Sequence, residues 1–408
     1  MSQSSRLAEP MVRLTRRQFL WGMGGGMGAA AVPLSRTAYH GYQINRLASQ
    51  PRSFALSSLE PSLAERAAAK GLIYGAATQH HLLANDPEFA EAVLRECQML
   101  VTENDLQWNQ VHPDPERFDF AAADGLAEFA QMHQLLLRGH NLVWHNSLPD
   151  WFKTTATPQT ARQILVNHIQ TVVGRYAGRM HSWDVVNEAL LPADGRADGL
   201  RQTPWLELIG TDYIELAFRT AAEADPAALL VYNDFELDYD RPQDQAKRMA
   251  LLRLLERLKQ RDVPIQAIGM QAHLWGGETR FNAAKLSSWL EQVASLGLKI
   301  LVTELDVTDQ PLPQDLAIRD QIVAGAYADY LAVLLEQPAV IAVLTWGLSD
   351  RYSWLAEFAP RSDSAAVRPL PLDQHLQRKL AWQAIAQAFD QAPVRTKQSA
   401  TSGAATSP

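Results

Sequence analysis

Short apolar runs rich in β-branched residues alternate along this chain with longer segments in which apolar residues return at three- and four-residue spacing. The runs cover residues 72–78, 99–104, 135–144, 182–187, 229–235, 267–273, 300–307 and 341–348. Between them lie amphipathic stretches such as 124–134, 161–177, 212–224, 243–259 and 285–296. A strand that is apolar at nearly every position is covered on both faces, and a helical segment after each such strand supplies the cover. Eight repeats of that unit predict an α/β fold, a closed parallel (β/α)8 barrel forming one catalytic domain. The competing arrangement is an open, doubly wound sheet. When such a sheet binds nucleotides it carries a glycine-rich turn after its first strand, and none is present here.

The C-terminal ends of the runs break the apolar pattern. They carry Glu103 and Asn104, His140 through His145, Asn187 and Glu188, Asn233 and Asp234, Gln271 and His273, Glu304 and Asp306, and finally Trp346. In a parallel barrel these ends meet at one mouth, where active sites sit. Glu188 and Glu304 each end or interrupt a strand too apolar to hold a carboxylate without a reason. Two carboxyl groups facing each other across a glycosidic bond are what glycoside hydrolysis requires. Alternation along a strand places Glu304 and Asp306 on one side. Two carboxylates that close repel unless a cation lies between them, and His273 is the candidate bridge. A bridging imidazolium keeps Glu304 ionised as a nucleophile, which leaves Glu188 to hold the proton as general acid.

Composition narrows the substrate. The chain has 408 residues, 47% hydrophobic and 20% charged, with a net charge of -8. That balance gives no basic surface for nucleic acid or anionic lipid. Eleven tryptophans supply flat apolar faces. The single cysteine, Cys97, excludes an internal disulfide and sits in an apolar helical run, where a packed, inert thiol is expected.

Seven ordered stretches carry a resemblance to a known family. They are Thr102-Glu103-Asn104-Asp105-Leu106-Gln107-Trp108, Arg138-Gly139-His140-Asn141-Leu142-Val143-Trp144-His145, Trp183-Asp184-Val185-Val186-Asn187-Glu188-Ala189, Tyr232-Asn233-Asp234, Gln271-Ala272-His273-Leu274, Thr303-Glu304-Leu305-Asp306, and the run from Trp346 to Trp354. In this order they resemble glycoside hydrolase family 10, the endo-β-1,4-xylanases. The resemblance implies a retaining hydrolase acting on xylan, with Glu188 as acid/base and Glu304 as nucleophile. It places His140, Trp144, Asn187, Gln271 and His273 around the sugar at the cleavage point, and Glu103 and Asn104 on the next sugar toward the non-reducing end. Trp346 and Trp354 form an aromatic wall. No metal or organic cofactor is implied. A mixed-specificity β-1,4-glucanase on the same barrel and a non-catalytic polysaccharide-binding barrel are the alternative functions.

Three positions depart from the family pattern. Gln107 stands where the family usually has lysine, which removes a charged donor to substrate. Asn146-Ser147 replaces a Ser-Gln pair, and the smaller Ser147 suggests more room for glucosyl units. Phe235-Glu236 replaces a Tyr-Asn pair.

The chain ends read differently from the barrel. Residues 1–33 combine Arg16-Arg17 with a short Gly/Ala-rich apolar run, the layout of a twin-arginine export signal. That run is too short to be a comfortable membrane span, so an exported, periplasmic or extracellular monomer is expected, with an uncleaved anchor as the one possible tie to a membrane. Residues 34–61 read as a lead-in, 62–392 as the barrel, and 393–408 as a disordered tail.

Overall fold

The structure is a computed structural model and describes residues 60–395. The export segment, nearly all of the lead-in and the tail beyond Arg395 lie outside the described residues. Nine strands are present: β1 (Ile73–Thr78), β2 (Met99–Thr102), β3 (Leu136–Gly139), β4 (Ser182–Asn187), β5 (Leu229–Asp234), β6 (Ala267–Met270), β7 (His273–Trp275), β8 (Lys299–Thr308) and β9 (Val340–Thr345). Every strand pairing is parallel. Strands β1 to β6 follow one another, β6 pairs with β8, β8 with β9, and β9 with β1, which closes an eight-stranded barrel. Helices including Pro87–Glu96, Ala121–Met132, Ala161–Arg175, Tyr213–Ala224, Pro242–Gln260, Ala283–Ser295 and Leu316–Leu334 fill the connections. The (β/α)8 arrangement expected from the pattern is the one observed.

The core has two compartments. Ala77, Met99, Val101, Val231, Ala267, Leu301, Ala342 and Leu344 fill the barrel interior. A larger cluster lies between strands and helices and includes Leu100, Val185, Val186, Val302, Leu305 and Val307. Strands of this barrel therefore read as apolar on both sides because each side meets a different core. Cys97 is buried in the outer cluster, and burial pushes its thiol pKa well above the ordinary value.

Two strands depart most from their apolar runs. Strand β3 stops at Gly139 rather than running to residue 144. There the Thr102 hydroxyl replaces the ladder: it accepts from the His140 N–H (2.9 Å) and donates to the His140 carbonyl (3.2 Å). The chain touches the sheet once more, by a bridge from Val143 to Val186. The sixth run, expected over residues 267–273, is split into β6 and β7 by Gln271 and Ala272. Ala272 adopts φ 60, a left-handed conformation unusual for an L-residue. Met270 pairs with Val302, but His273 pairs with Asp306. Three steps on one path thus oppose four on the other, which is a β-bulge in β8.

At the ends of the barrel, Ser62 caps the first described helix (Leu63–Ala69) in a reciprocal capping box with Glu65. The described chain continues past residue 392. Arg395 donates its N–H to the Lys70 carbonyl (2.9 Å), and its guanidinium donates to Leu335 (2.7 Å) and Val340 (3.2 Å) carbonyls.

Candidate active site

Two bulges aim the acidic side chains. In β8, Leu301 lies in the interior core, while Val302 faces the outer cluster. Strict alternation from there would send Glu304 outward and Leu305 inward. The register shift between Val302 and Leu305 reverses the parity. Leu305 and Val307 join the outer cluster, and Glu304 and Asp306 turn into the mouth. In β4 the shift falls between Asp184 and Val186. Val185 and Val186 both face the outer cluster, so Asn187 turns inward. Glu188 follows with φ 56. That left-handed residue is held by its own N–H donating to the Asn233 carbonyl (2.9 Å) and by Arg201 Nε donating to its carbonyl (2.8 Å).

A chain of amides joins the two glutamates. Asn233 Nδ2 donates to Glu304 Oε1 (2.6 Å) and to Asn187 Oδ1 (2.9 Å). Thr303 Oγ1 donates to Asn233 Oδ1 (2.7 Å) and sets the orientation of that amide. Gln271 Nε2 reaches Asn187 Oδ1 (3.3 Å) and Glu188 Oε1 (3.2 Å), and Asn187 Nδ2 lies 3.4 Å from the same Glu188 oxygen. Gly269 makes room for this network, because a Cβ there would sit 2.1 Å from Asn233 Oδ1.

His273 stands between the two acids of β8. Its Nε2 is 3.2 Å from Glu304 Oε2 and its Nδ1 is 3.0 Å from Asp306 Oδ1. The remaining Asp306 oxygen accepts from Trp354 Nε1 at 2.7 Å. Burial disfavours the charged ring, yet the two carboxylates outweigh it and raise the His273 pKa to about 10. On Glu304 burial works upward, but the hydrogen bond from His273, the nearby His140 and Asn233 win, so its pKa lies below the ordinary value. Glu188 goes the other way: burial raises it, and Arg201 offsets only part. His140 is held by Asp184 (3.0 Å), which Arg138 also grips. Burial lowers the His140 pKa, but the Asp184 bond and the Glu304 charge leave it above the usual value.

Tryptophans ring this network. Trp346 meets the His140 ring edge-on at 5.1 Å and the His273 ring at 6.4 Å. Trp354 lies 5.1 Å from His273, and Trp144 lies 6.4 Å from His140. Glu103 is buried just past β2, and burial, with Asp105 adding to it and Gln79 opposing, raises its pKa to about 7. Gln107 Nε2 donates to Asn104 Oδ1 (2.9 Å) and lies 3.4 Å from the Glu103 carbonyl. Its amide is thus spent bracing the residues after β2.

Sequence reasoning brought together Glu188, Glu304, His273, Asp306, Asn187, Gln271, His140 and the tryptophans, and the structure places them at one mouth. It assigned no role to Asn233, Thr303, Asp184, Arg138 or Arg201. Asn233 carried a signal as a polar strand end. Arg201 lies in a loop thirteen residues beyond Glu188 and carried none. Ser147 is buried, and its carbonyl accepts from the Asn109 N–H (2.9 Å). Phe235 has a clear role, since the buried Lys247 ammonium sits 3.6 Å from its ring centroid and 2.7 Å from Asp234 Oδ1.

A closed parallel barrel with two environmentally split carboxyl groups at its C-terminal mouth has the layout of a polysaccharide-cleaving hydrolase. The family comparison agrees: the model of glycosyl hydrolase family 10 matches residues 62–388, and this chain belongs to that family. Among similar proteins is "Endo-1,4-beta-xylanase 5" of Pyricularia oryzae, 36% identical over 301 residues, 73% of this chain and 72% of that one. "Endo-1,4-beta-xylanase B" of Thermotoga neapolitana is 35% identical over 272 residues, 66% of this chain and 75% of that one. Among solved structures, native xylanase 10B of Thermotoga maritima superposes with TM-score 0.73 at 33% identity, covering 81% of this chain and 98% of that one. Xylanase 10B of Thermotoga petrophila in complex with xylobiose gives TM-score 0.74 at 32% identity, covering 82% and 99%.

Proposed function

We propose that this protein is a retaining endo-β-1,4-xylanase. The observation that carries the reading is the opposed tuning of the two glutamates: Glu304 is clamped as a carboxylate by His273, while burial favours the protonated form of Glu188. Glu304 attacks the anomeric carbon as Glu188 gives its proton to the leaving oxygen, and a glycosyl ester forms on Glu304. Glu188, now a carboxylate, takes a proton from water, and that water displaces Glu304 from the anomeric carbon with a second inversion. Asn187 has a weakly engaged amide N–H that is placed for the sugar 2-hydroxyl, a contact that tightens as the oxocarbenium ion develops. His140, Gln271, Trp144, Trp346 and Trp354 enclose that sugar, and Glu103 and Asn104 receive its neighbour. Xylan as substrate rests on the relatives, which are named as xylanases.

The test is hydrolysis of soluble xylan and xylo-oligosaccharides with the first-formed anomer read by NMR. A β-anomer is expected. An initial α-anomer overturns the retaining mechanism, and no sugar release overturns the activity. Glu304→Gln, which keeps the shape but not the charge, is expected to lower kcat at least about 10³-fold.

A further inference from the structure

We propose that Arg201 is the positioning residue that stabilises Glu188 as a carboxylate once it has given up its proton. The inference rests on the xylanase reading and assigns this side chain a part in the second chemical step.

The reaction moves a negative charge across the site. At the start Glu304 is the carboxylate and Glu188 the acid. As a Glu304 oxygen bonds to the anomeric carbon and the bond to the leaving oxygen breaks, the Glu188 proton passes to that oxygen. Glu304 is then a neutral ester, and the charge sits on Glu188. For its own charged state Glu304 has His273 at 3.2 Å. Glu188 is 8% exposed, so its anion needs a counter-charge as well. Gln271 Nε2 (3.2 Å) and Asn187 Nδ2 (3.4 Å) reach one of its oxygens, and both are neutral.

Arg201 is the cation folded against it. The chain after Glu188 turns back on itself: Leu190 bridges Leu200 in antiparallel fashion, the Leu191 N–H donates to the Gly199 carbonyl (3.0 Å), and the Arg201 N–H donates to the Ala189 carbonyl (2.8 Å). The return leg thus sets Arg201 beside the acid, where its Nε donates to the Glu188 carbonyl at 2.8 Å. Its guanidinium carbon lies 5.7 Å from the Phe235 ring centroid.

An arginine this buried is ordinarily paired with a carboxylate. Arg201 is 5% exposed, yet among the described residues it makes no ion pair, and its Nη2 has no acceptor. Asp234, which faces Glu188 from β5, is occupied by Lys247 Nζ (2.7 Å) and the Tyr232 hydroxyl (2.6 Å). The other titratable neighbours of the guanidinium stay neutral. Burial keeps the Tyr232 and Tyr213 hydroxyls protonated, and burial, with Arg201 and Lys247 adding to it, keeps the His145 ring uncharged. On Glu188 burial favours the acid and Asp234 adds to that, while Arg201 is the foremost influence toward the carboxylate. A fixed cation without a partner of its own, beside a group that becomes an anion during turnover, is preorganised for that anion.

The test uses 2,4-dinitrophenyl β-xylobioside, whose leaving group departs without a proton. Its burst of dinitrophenolate reports the first step, and the steady rate that follows reports the second, in which Glu188 must be a carboxylate. In Arg201→Gln, which keeps polar bulk but not the charge, the burst rate is expected to hold. The acid limb of the steady rate is expected to move up by about one pH unit, a loss of about tenfold on that side of the profile. Glycosyl-enzyme is then expected to accumulate in the intact mass of quenched samples. The basic limb of kcat/KM on xylohexaose, which needs Glu188 protonated, is expected to move up with it. Arg201→Lys, which keeps the charge, is expected to leave both limbs in place. Burst and steady rates that fall together, or limbs that stay put in Arg201→Gln, overturn the role of Arg201. If Arg201→Gln does not fold, the lysine variant decides: limbs displaced by about one unit although the charge is kept overturn the role, and unmoved limbs support it. A wild-type enzyme inactive on both xylan and the aryl glycoside overturns the xylanase reading itself, whereas wild-type turnover beside an indifferent Arg201→Gln overturns this inference alone.

Discussion

At His273 one imidazole serves two carboxylates, Glu304 and Asp306. The ring is charged in the folded state up to about pH 10, against an ordinary value of 6.5. A histidine raised on folding adds stability that is complete below about pH 6.5 and is lost as pH rises toward 10. The same charge depresses Glu304, whose ionised form is the nucleophile. His273→Gln removes the charge, so the Glu304 pKa rises and the acid limb of the kcat/KM profile moves to higher pH. A fall of about 10²-fold or more in kcat is expected alongside it, the usual cost of losing a preorganised charge at the reacting centre. A pH–rate profile checks both; an acid limb that stays in place would refute the clamp.

At the scale of elements, the site depends on where strands break their own rules. A regular β8 would point Glu304 at the helices and Leu305 at the substrate, and a regular β4 would turn Asn187 away. The bulges that correct this sit beside the polar layer of Asn233, Thr303 and Gln271, and Gly269 of β6 leaves the space that layer occupies. Gly269→Ala places a methyl 2.1 Å from Asn233 Oδ1. Thr303, Asn187 and Glu304 hold that amide, so it yields only at the cost of those bonds, and a destabilisation of about 1–3 kcal/mol is expected from overpacking. Catalysis should suffer more than stability, because the displaced amide is the one that joins Glu304 to Asn187. Thermal unfolding and kcat measured on one preparation test the claim; full activity in a stable variant would contradict it.

The barrel domain is closed by contacts between its first and last described elements. Glu96, fully buried, accepts from the Leu63 N–H (3.2 Å), from Trp382 Nε1 (2.9 Å) and from Arg378 Nε and Nη2 (2.9 and 2.8 Å). Leu63 begins the first described helix, and Trp382 lies in the last, Leu380–Gln391. One carboxylate thus ties both ends of the described region next to the β1–β9 closure of the barrel. Glu96→Ala strands a guanidinium and two N–H groups, which is expected to cost about 3–5 kcal/mol. Chemical denaturation checks the figure, and a loss below about 1 kcal/mol would show that Arg378 finds another partner.

Much of this protein is local information. The alternation of apolar runs with helical periodicity determined the barrel, because a strand covered on both faces has few other homes. Polar residues at the ends of those runs marked the mouth, and the pairing of Glu304 with Asp306 around His273 followed from residue types and spacing two apart. The export reading of residues 1–33 stands on sequence alone. Tertiary structure decided what depends on backbone position between segments far apart. It set the reversal of parity at the two bulges, the left-handed turns at Glu188 and Ala272, and the use of Arg201 to hold a carbonyl thirteen residues away. It also turned Gln107 back onto Asn104 and buried Ser147. Periodicity is written in one strand at a time, whereas each of these is fixed by how a strand registers against its neighbour.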